Sequence, residues 1–170
     1  MVLYIIRHAE AVEASATLPE EWRYLTDKGR ETIEGVARRL PESGKSCTII
    51  SSPLVRAVQT AQIVAEKCGR KCSLEISGLL LPNAAVEQLV RFLLERGSGT
   101  RSIMVVGHEP QLSALVARLL QHEEIQLKKA GCVVLEVNQT RPENPAAFYS
   151  YVTPGKKPLK SVKKAFMATA

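Results

Sequence analysis

The chain has 170 residues, 45% hydrophobic and 24% charged, which suits a soluble globular domain that can bury a core without metal or disulfide support. No apolar run approaches the roughly 18 residues needed to span a bilayer, and the first residues lack the basic region of a signal peptide, so the expectation is a cytoplasmic protein with no membrane partner. The net charge of +6 permits acidic partners. Its C-terminal concentration at Lys156, Lys157, Lys160, Lys163 and Lys164, however, is accompanied by a lone aromatic, Phe166, which argues for a solvated basic surface and against a nucleic-acid-binding module.

The chain begins with Leu3-Tyr4-Ile5-Ile6, a β-favouring apolar run that ends abruptly in Arg7-His8-Ala9-Glu10. Such a run suits a strand buried on both faces of a parallel sheet. It would deliver Arg7 and His8 to the carboxyl end of that sheet, where open α/β sheets bind ligands. Residues 11–25, with Pro19, Trp22 and Tyr24, read as an ordered loop long enough to carry function. Thr26-Asp27 caps a helix with the apolar face Ile33, Val36, Ala37 and Leu40, stopped by Pro41 and Gly44. A second strand at 47–51 leads to Ser52-Pro53, a helix start with Ser52 as N-cap, and that helix runs from Leu54 to about Cys68.

A third strand is expected at 72–76, a loop with Gly78, Pro82 and Asn83 at 77–84, and a helix at about 85–96. Gly97-Ser98-Gly99 separates that helix from a fourth strand at 102–106. Gly107-His108-Glu109-Pro110 then opens a helix with the apolar side Leu112, Leu115, Val116 and Leu119. Alternating strands and helices argue for an α/β fold, a mostly parallel sheet with helices on both faces. Residues 132–137 and 147–152 read as an antiparallel pair at one edge, joined by a Pro- and Asn-rich turn, and a short basic helix from about Pro158 closes a single domain over 1–170. The four cysteines, Cys47, Cys68, Cys72 and Cys132, form no Cys-x-x-Cys pair and are read as reduced and structural, with no metal.

Chemistry concentrates at the strand ends. Arg7 and His8 follow the first strand, Arg56 lies in the first turn after the second, and His108 follows the fourth. In a parallel sheet these ends share one side, so two guanidinium and two imidazole groups can meet over one pocket. Arginine has no lone pair for a cation, but its fork of donors matches phosphate oxygens. A neutral imidazole can attack phosphorus and carry the phosphoryl group until water releases it, while fixed positive charge stabilises the transition state. A zinc site would need a cluster of three His, Cys or acidic ligands. His122 is expected to be merely exposed.

The residues Arg7-His8-Ala9, Leu25-Thr26-Asp27-Lys28-Gly29, the segment 51–61 and Val105-Val106-Gly107-His108-Glu109-Pro110 together resemble the signatures of the histidine phosphatase superfamily, whose fold is phosphoglycerate-mutase-like. The resemblance runs from residue 3 to about residue 116 and implies a three-layer α/β/α sandwich. It also implies a phosphorylated nucleophile at His8, with Arg7, Arg56 and His108 binding the phosphoryl oxygens and no cofactor. Ala9 departs from the family's glycine. A second departure is that 77–84 contains no Asp or Glu, where ester-cleaving members carry an acid; Glu87, the nearest, falls in a helix. An alkoxide leaving group needs a general acid far more than an imidazole leaving from a P–N bond does.

That gap, the chain length and the Leu-Pro-Asn loop at 81–83 resemble the SixA branch of phosphohistidine phosphatases. The branch implies a histidine-phosphorylated protein of the phosphotransfer-domain type as partner, inorganic phosphate as product, and a monomer. The alternatives are a small-molecule phosphomonoesterase of the same fold and a phosphoprotein-binding module without turnover.

Overall fold

Strand β1 (Val2–Arg7) is apolar on both sides because it is buried on both sides: Leu3 and Ile5 point into one core and Tyr4 and Ile6 into the other. The computed structural model describes residues 1–42, 46–69, 71–96, 102–123, 125–138 and 145–166. Strands β2 (Ser46–Ser51), β3 (Lys71–Ile76), β4 (Ser102–Gly107), β5 (Cys132–Val137) and β6 (Ala146–Val152) complete a six-stranded sheet of order β3-β2-β4-β1-β5-β6. The first four in that order are parallel; β5 runs antiparallel to β1, and β6 antiparallel to β5. Parallel strands covered on both faces account for the unbroken apolar runs of β1 and β4.

Helices α1 (Asp27–Ala37) and α2 (Val55–Lys67) pack on the Tyr4–Ile6 face. Helices α3 (Val86–Arg96) and α4 (Gln111–Leu120) and the short α5 (Val162–Phe166) pack on the Leu3–Ile5 face. This is the expected three-layer sandwich. The expected faces are buried too: Ile33, Val36, Ala37 and Leu40 on one side, Leu112, Leu115, Val116 and Leu119 on the other.

Local corrections have identifiable causes. Ser52 does not cap α2, whose N-cap is Leu54 with no side-chain hydrogen bond. The Ser52 amide instead donates to Val106 O (2.9 Å), so Ser52 continues the strand and its hydroxyl is turned to the site. The last helix starts at Val162 rather than near Pro158, because Leu159 exchanges backbone hydrogen bonds with Tyr151 in an antiparallel bridge. Cys47 and Cys72 are not reduced but disulfide-bonded: the parallel register of β2 and β3 makes them direct neighbours across 25 residues of sequence. His122 is partly covered rather than fully exposed, since its amide closes back onto Ala117 O behind the left-handed Gln121. The helix stop at Gly44, the Gly97–Gly99 separator and the turn between β5 and β6 lie outside the described residues.

One glycine ties fold to site. Thr26 caps α1 by accepting from the Gly29 amide (3.0 Å), and its own amide donates to Glu10 O (3.1 Å), just past the β1 end. A Cβ on Gly29 would lie 2.1 Å from that carbonyl oxygen, whereas one on Gly35, further along α1, would meet nothing within 4 Å. Gly29→Ala should therefore lower stability by about 1–3 kcal/mol, and Gly35→Ala should raise it by about 0.5–1 kcal/mol. Urea midpoints for the two variants check this; equal shifts would show that the Glu10 contact is unimportant.

Candidate active site

The β1, β2 and β4 ends are level because Arg7 pairs with Gly107 and Ser51 with Val106 in the sheet. One residue further, the His8 amide donates to Gly107 O (3.0 Å) as Ser52 does to Val106 O. His8, Ser52 and His108 therefore stand side by side as the chain leaves the sheet. The two imidazole rings lie 5.0 Å apart, centroid to centroid. Arg56, in the first turn of α2, points its Nε–H at His8 Nε2 from 3.3 Å. The structure thus brings His8, His108 and Arg56 together as expected, and Arg7, the residue before His8, is near enough for its charge to act on both imidazoles.

His8 is buried, and its Nδ1 lies 2.7 Å from its neighbour's carbonyl, Ala9 O. That oxygen can only accept, so Nδ1 carries the proton and the Nε2 lone pair is left facing Arg56. Burial, with the charges of Arg56, Arg7 and Arg23, lowers the His8 pKa to about 4 despite the opposing Ala9 bond. His108 is lowered to about 3 by burial and by His8, Arg56 and Arg7. Its Nε2 is 2.8 Å from Ser52 Oγ, and its Nδ1 is buried without a hydrogen-bond partner. Both rings are neutral at pH 7, one offering a lone pair and the other an unspent ring nitrogen.

Ala9 adopts no positive φ, so no glycine is required there; among the described non-glycine residues that conformation occurs at Gln121 and Ala130. The Ala9 amide donates to Thr60 Oγ1 (3.1 Å), whose hydroxyl donates to Arg56 O (2.7 Å), locking the turn after β1 to α2. Arg7 donates from Nη1 to Leu127 O (2.7 Å), while its Nε is buried with no partner. The segment before β5 forms the opposite wall: Ala130, at φ 58°, donates its amide to His8 O (3.2 Å). A left-handed alanine costs about 1 kcal/mol, and here it anchors the histidine backbone.

Sequence reasoning missed Glu20. A short 3-10 turn, Glu20–Trp22, places its carbonyl on Arg56 Nη1 (2.9 Å) and its carboxylate on Arg56 Nη2 (2.8 Å). Arg23 Nη1 holds the same carboxylate at 3.0 Å. Burial raises the Glu20 pKa, but Arg23 and Arg56 outweigh it and hold the carboxyl below its ordinary range. The buried Arg56 charge is thereby paired, as a desolvated cation must be. The aromatic and acidic content of 11–25 was a weak signal, since nothing in it says which acid turns inward.

The other acids are engaged elsewhere. Glu10 accepts from Thr26 Oγ1 (3.1 Å), Glu109 accepts from Ser113 Oγ, and Glu87 accepts from Arg118 Nε (2.9 Å) on the exposed faces of α3 and α4. The acid-free loop at 77–84 is pinned by Gln111 Nε2, which donates to Leu79 O (2.7 Å) and Ala84 O (3.0 Å). Two imidazoles among arginines make an anion site and not a cation site. Among the described residues, the His, Cys or acidic side chains that converge as metal ligands are Cys47, Cys68 and Cys72, at the opposite end of the sheet. No helix among the described residues is long and apolar enough to cross a membrane.

Comparison with known proteins places the fold and the sequence. Residues 3–78 match the model of the histidine phosphatase superfamily, branch 1. An uncharacterised protein of Picosynechococcus is 31% identical over 147 residues, covering 83% of this chain and 88% of its own. The solved structure of the protein histidine phosphatase SixA complexed with tungstate superposes with a TM-score of 0.79 at 24% identity, covering 91% of this chain and 97% of that one. A phosphoserine phosphatase of Entamoeba histolytica with bound 3-phosphoglyceric acid superposes at 0.64 and 18% identity, covering 91% and 98%. The fold is common to both.

The depressed imidazole pKa values give a direct check. The ordinary histidine value is 6.5, and the folded values are about 4 for His8 and about 3 for His108. The unfolded chain therefore takes up protons below pH 6.5 that the folded chain refuses. Stability is lost as pH falls from about 6.5 and levels off below the folded values. In an NMR titration, the His8 and His108 ring signals should stay at their neutral positions down to about pH 5. Titration of either ring near 6.5 would contradict the burial argument.

Proposed function

Because the chain belongs to the histidine phosphatase superfamily, we propose that it is a phosphohistidine phosphatase acting on histidine-phosphorylated proteins of the phosphotransfer-domain type through a phospho-His8 intermediate. The observation that carries this reading is a buried, neutral His8 whose Nδ1–H is spent on Ala9 O while its Nε2 lone pair faces Arg56. Nε2 attacks phosphorus and the substrate imidazole departs. Arg7, Arg56 and His108 surround the three equatorial oxygens, where fixed positive charge acts most strongly on the transition state. Water then attacks phospho-His8 and inorganic phosphate leaves, with no metal or cofactor.

The preference for a P–N bond rests on what could protonate a leaving group. The 77–84 loop holds no carboxyl, and Glu20, which does reach the pocket, is kept ionised by Arg23 and Arg56. An ionised carboxylate cannot donate to an alkoxide, whereas a departing imidazole has less need of help. The likeness to SixA supports the same substrate class. The likeness to a phosphoserine phosphatase favours the second reading, a small-molecule phosphomonoesterase. A phosphate-binding module without turnover would have no use for the anchored tautomer of His8. We place the protein in the cytoplasm as a monomer.

In the resting site, the Glu20 carboxylate occupies the Arg56 fork where a phosphoryl oxygen would dock. It must yield when substrate enters, so it acts as a tethered competing anion.

The test is a side-by-side rate comparison on a phosphohistidine protein, free phosphohistidine and an alkyl phosphate ester. The P–N substrates should dominate; an equal or faster ester rate would favour the phosphomonoesterase. His8→Ala should abolish turnover while leaving the fold intact, and Arg56→Ala should lower it about 10²–10³-fold, the usual loss for one transition-state donor. Glu20→Gln should lower the inhibition constant for phosphate roughly five- to tenfold; an unchanged constant would remove Glu20 from the anion site.

A further inference from the structure

Three cysteines from three elements meet at the amino-terminal end of β2 and β3. Cys47 and Cys72 are register partners on the two strands, and Cys68 caps the C-terminus of α2. Cys68 Sγ lies 3.5 Å from Cys72 Sγ, and all three sulfurs fall within 4.8 Å of one another. Cys47 is buried, while Cys68 and Cys72 are partly open to solvent. The fourth cysteine, Cys132, is buried separately on β5. The cluster is roughly 16 Å from Ser52 at the strand rise of β2, too far to touch the phosphoryl pocket.

We propose that Cys47, Cys68 and Cys72 form a thiolate site for one thiophilic d¹⁰ cation of the Zn²⁺ class, open when the Cys47–Cys72 disulfide is reduced. A cation held at about 2.3 Å from each sulfur in a tetrahedral site spaces its sulfurs by roughly 3.8 Å. The Cys68–Cys72 separation is already near this, and the longest separation in the cluster exceeds it by about one ångström. The solvent-facing side of Cys68 and Cys72 leaves the fourth position to water.

The chemistry balances in two steps. A dithiol reductant passes two electrons and two protons to the disulfide, giving two cysteine thiols and the reductant's own disulfide. The cation then displaces three protons from the three thiols. In the oxidised state two of the three ligands are tied to each other and carry no thiolate charge, so Cys68 stands alone. The site is structural: it would clamp the C-terminus of α2, through Cys68, to the first residues of β2 and β3, whereas the disulfide ties only the two strands to each other.

The experiment titrates Co²⁺, as a spectroscopic substitute for Zn²⁺, into the full chain after reduction with dithiothreitol and desalting without oxygen. Thiolate-to-cobalt charge-transfer absorption should saturate at one equivalent, bleach on addition of Zn²⁺, and be missing from the unreduced protein. Cys68→Ser should lose the absorption while still binding phosphate, which shows that the variant is folded. His8→Ala should keep it, which excludes the catalytic imidazoles as the ligands. No charge-transfer absorption in the reduced protein, or an unchanged band in Cys68→Ser, would overturn the site.

Discussion

The 2.7 Å hydrogen bond from His8 Nδ1–H to Ala9 O sets the character of the whole site. It fixes the tautomer, and the tautomer decides that Nε2 presents a lone pair rather than a proton. Burial and three arginines keep the ring neutral, so that the lone pair stays available across the physiological range. Everything around it serves to hold that one ring: the Gly107 carbonyl at its amide, the Ala130 amide at its carbonyl, and Thr60 behind Ala9. A ring this constrained would need little reorganisation in the proposed role of nucleophile, and the positive charges at Arg7 and Arg56 are already in place.

Register converts this local bond into a pocket. Because β1, β4 and β2 are parallel and level, three strand exits put His8, His108 and Ser52 within reach of one another. The apolar runs that form these strands were legible at once, since burial on both faces leaves a continuous hydrophobic signature. His8, His108 and Arg56 were legible for the same reason: each follows such a run, and a parallel sheet can put those exits only on one side.

What the sequence concealed depends on side-chain direction and on pairing between distant segments. Ser52 looked like a helix cap, but its amide is captured by Val106 and its hydroxyl by His108. Glu20 sat in a loop with three acids, Glu13, Glu20 and Glu21, and no periodicity to orient any of them, and Arg23 and Arg56 choose it. The Cys47–Cys72 pair required the β2–β3 register, which no local pattern records. Ala9, by contrast, looked like a defect in a motif. Its backbone has no positive φ, so alanine costs nothing there, and Gly29, which faces the Glu10 carbonyl, is the glycine that the turn requires.

The central claim is that His8 carries the phosphoryl group during turnover. The most direct measurement mixes the enzyme with a phosphohistidine protein bearing radiolabelled phosphate, quenches within one turnover under denaturing alkaline conditions, and maps the label by peptide. An acid-labile, base-stable phosphoryl group on the peptide containing His8, formed and lost at rates compatible with turnover, is the predicted result. Full turnover with no label on His8 at any time, or label accumulating on another residue, would contradict it.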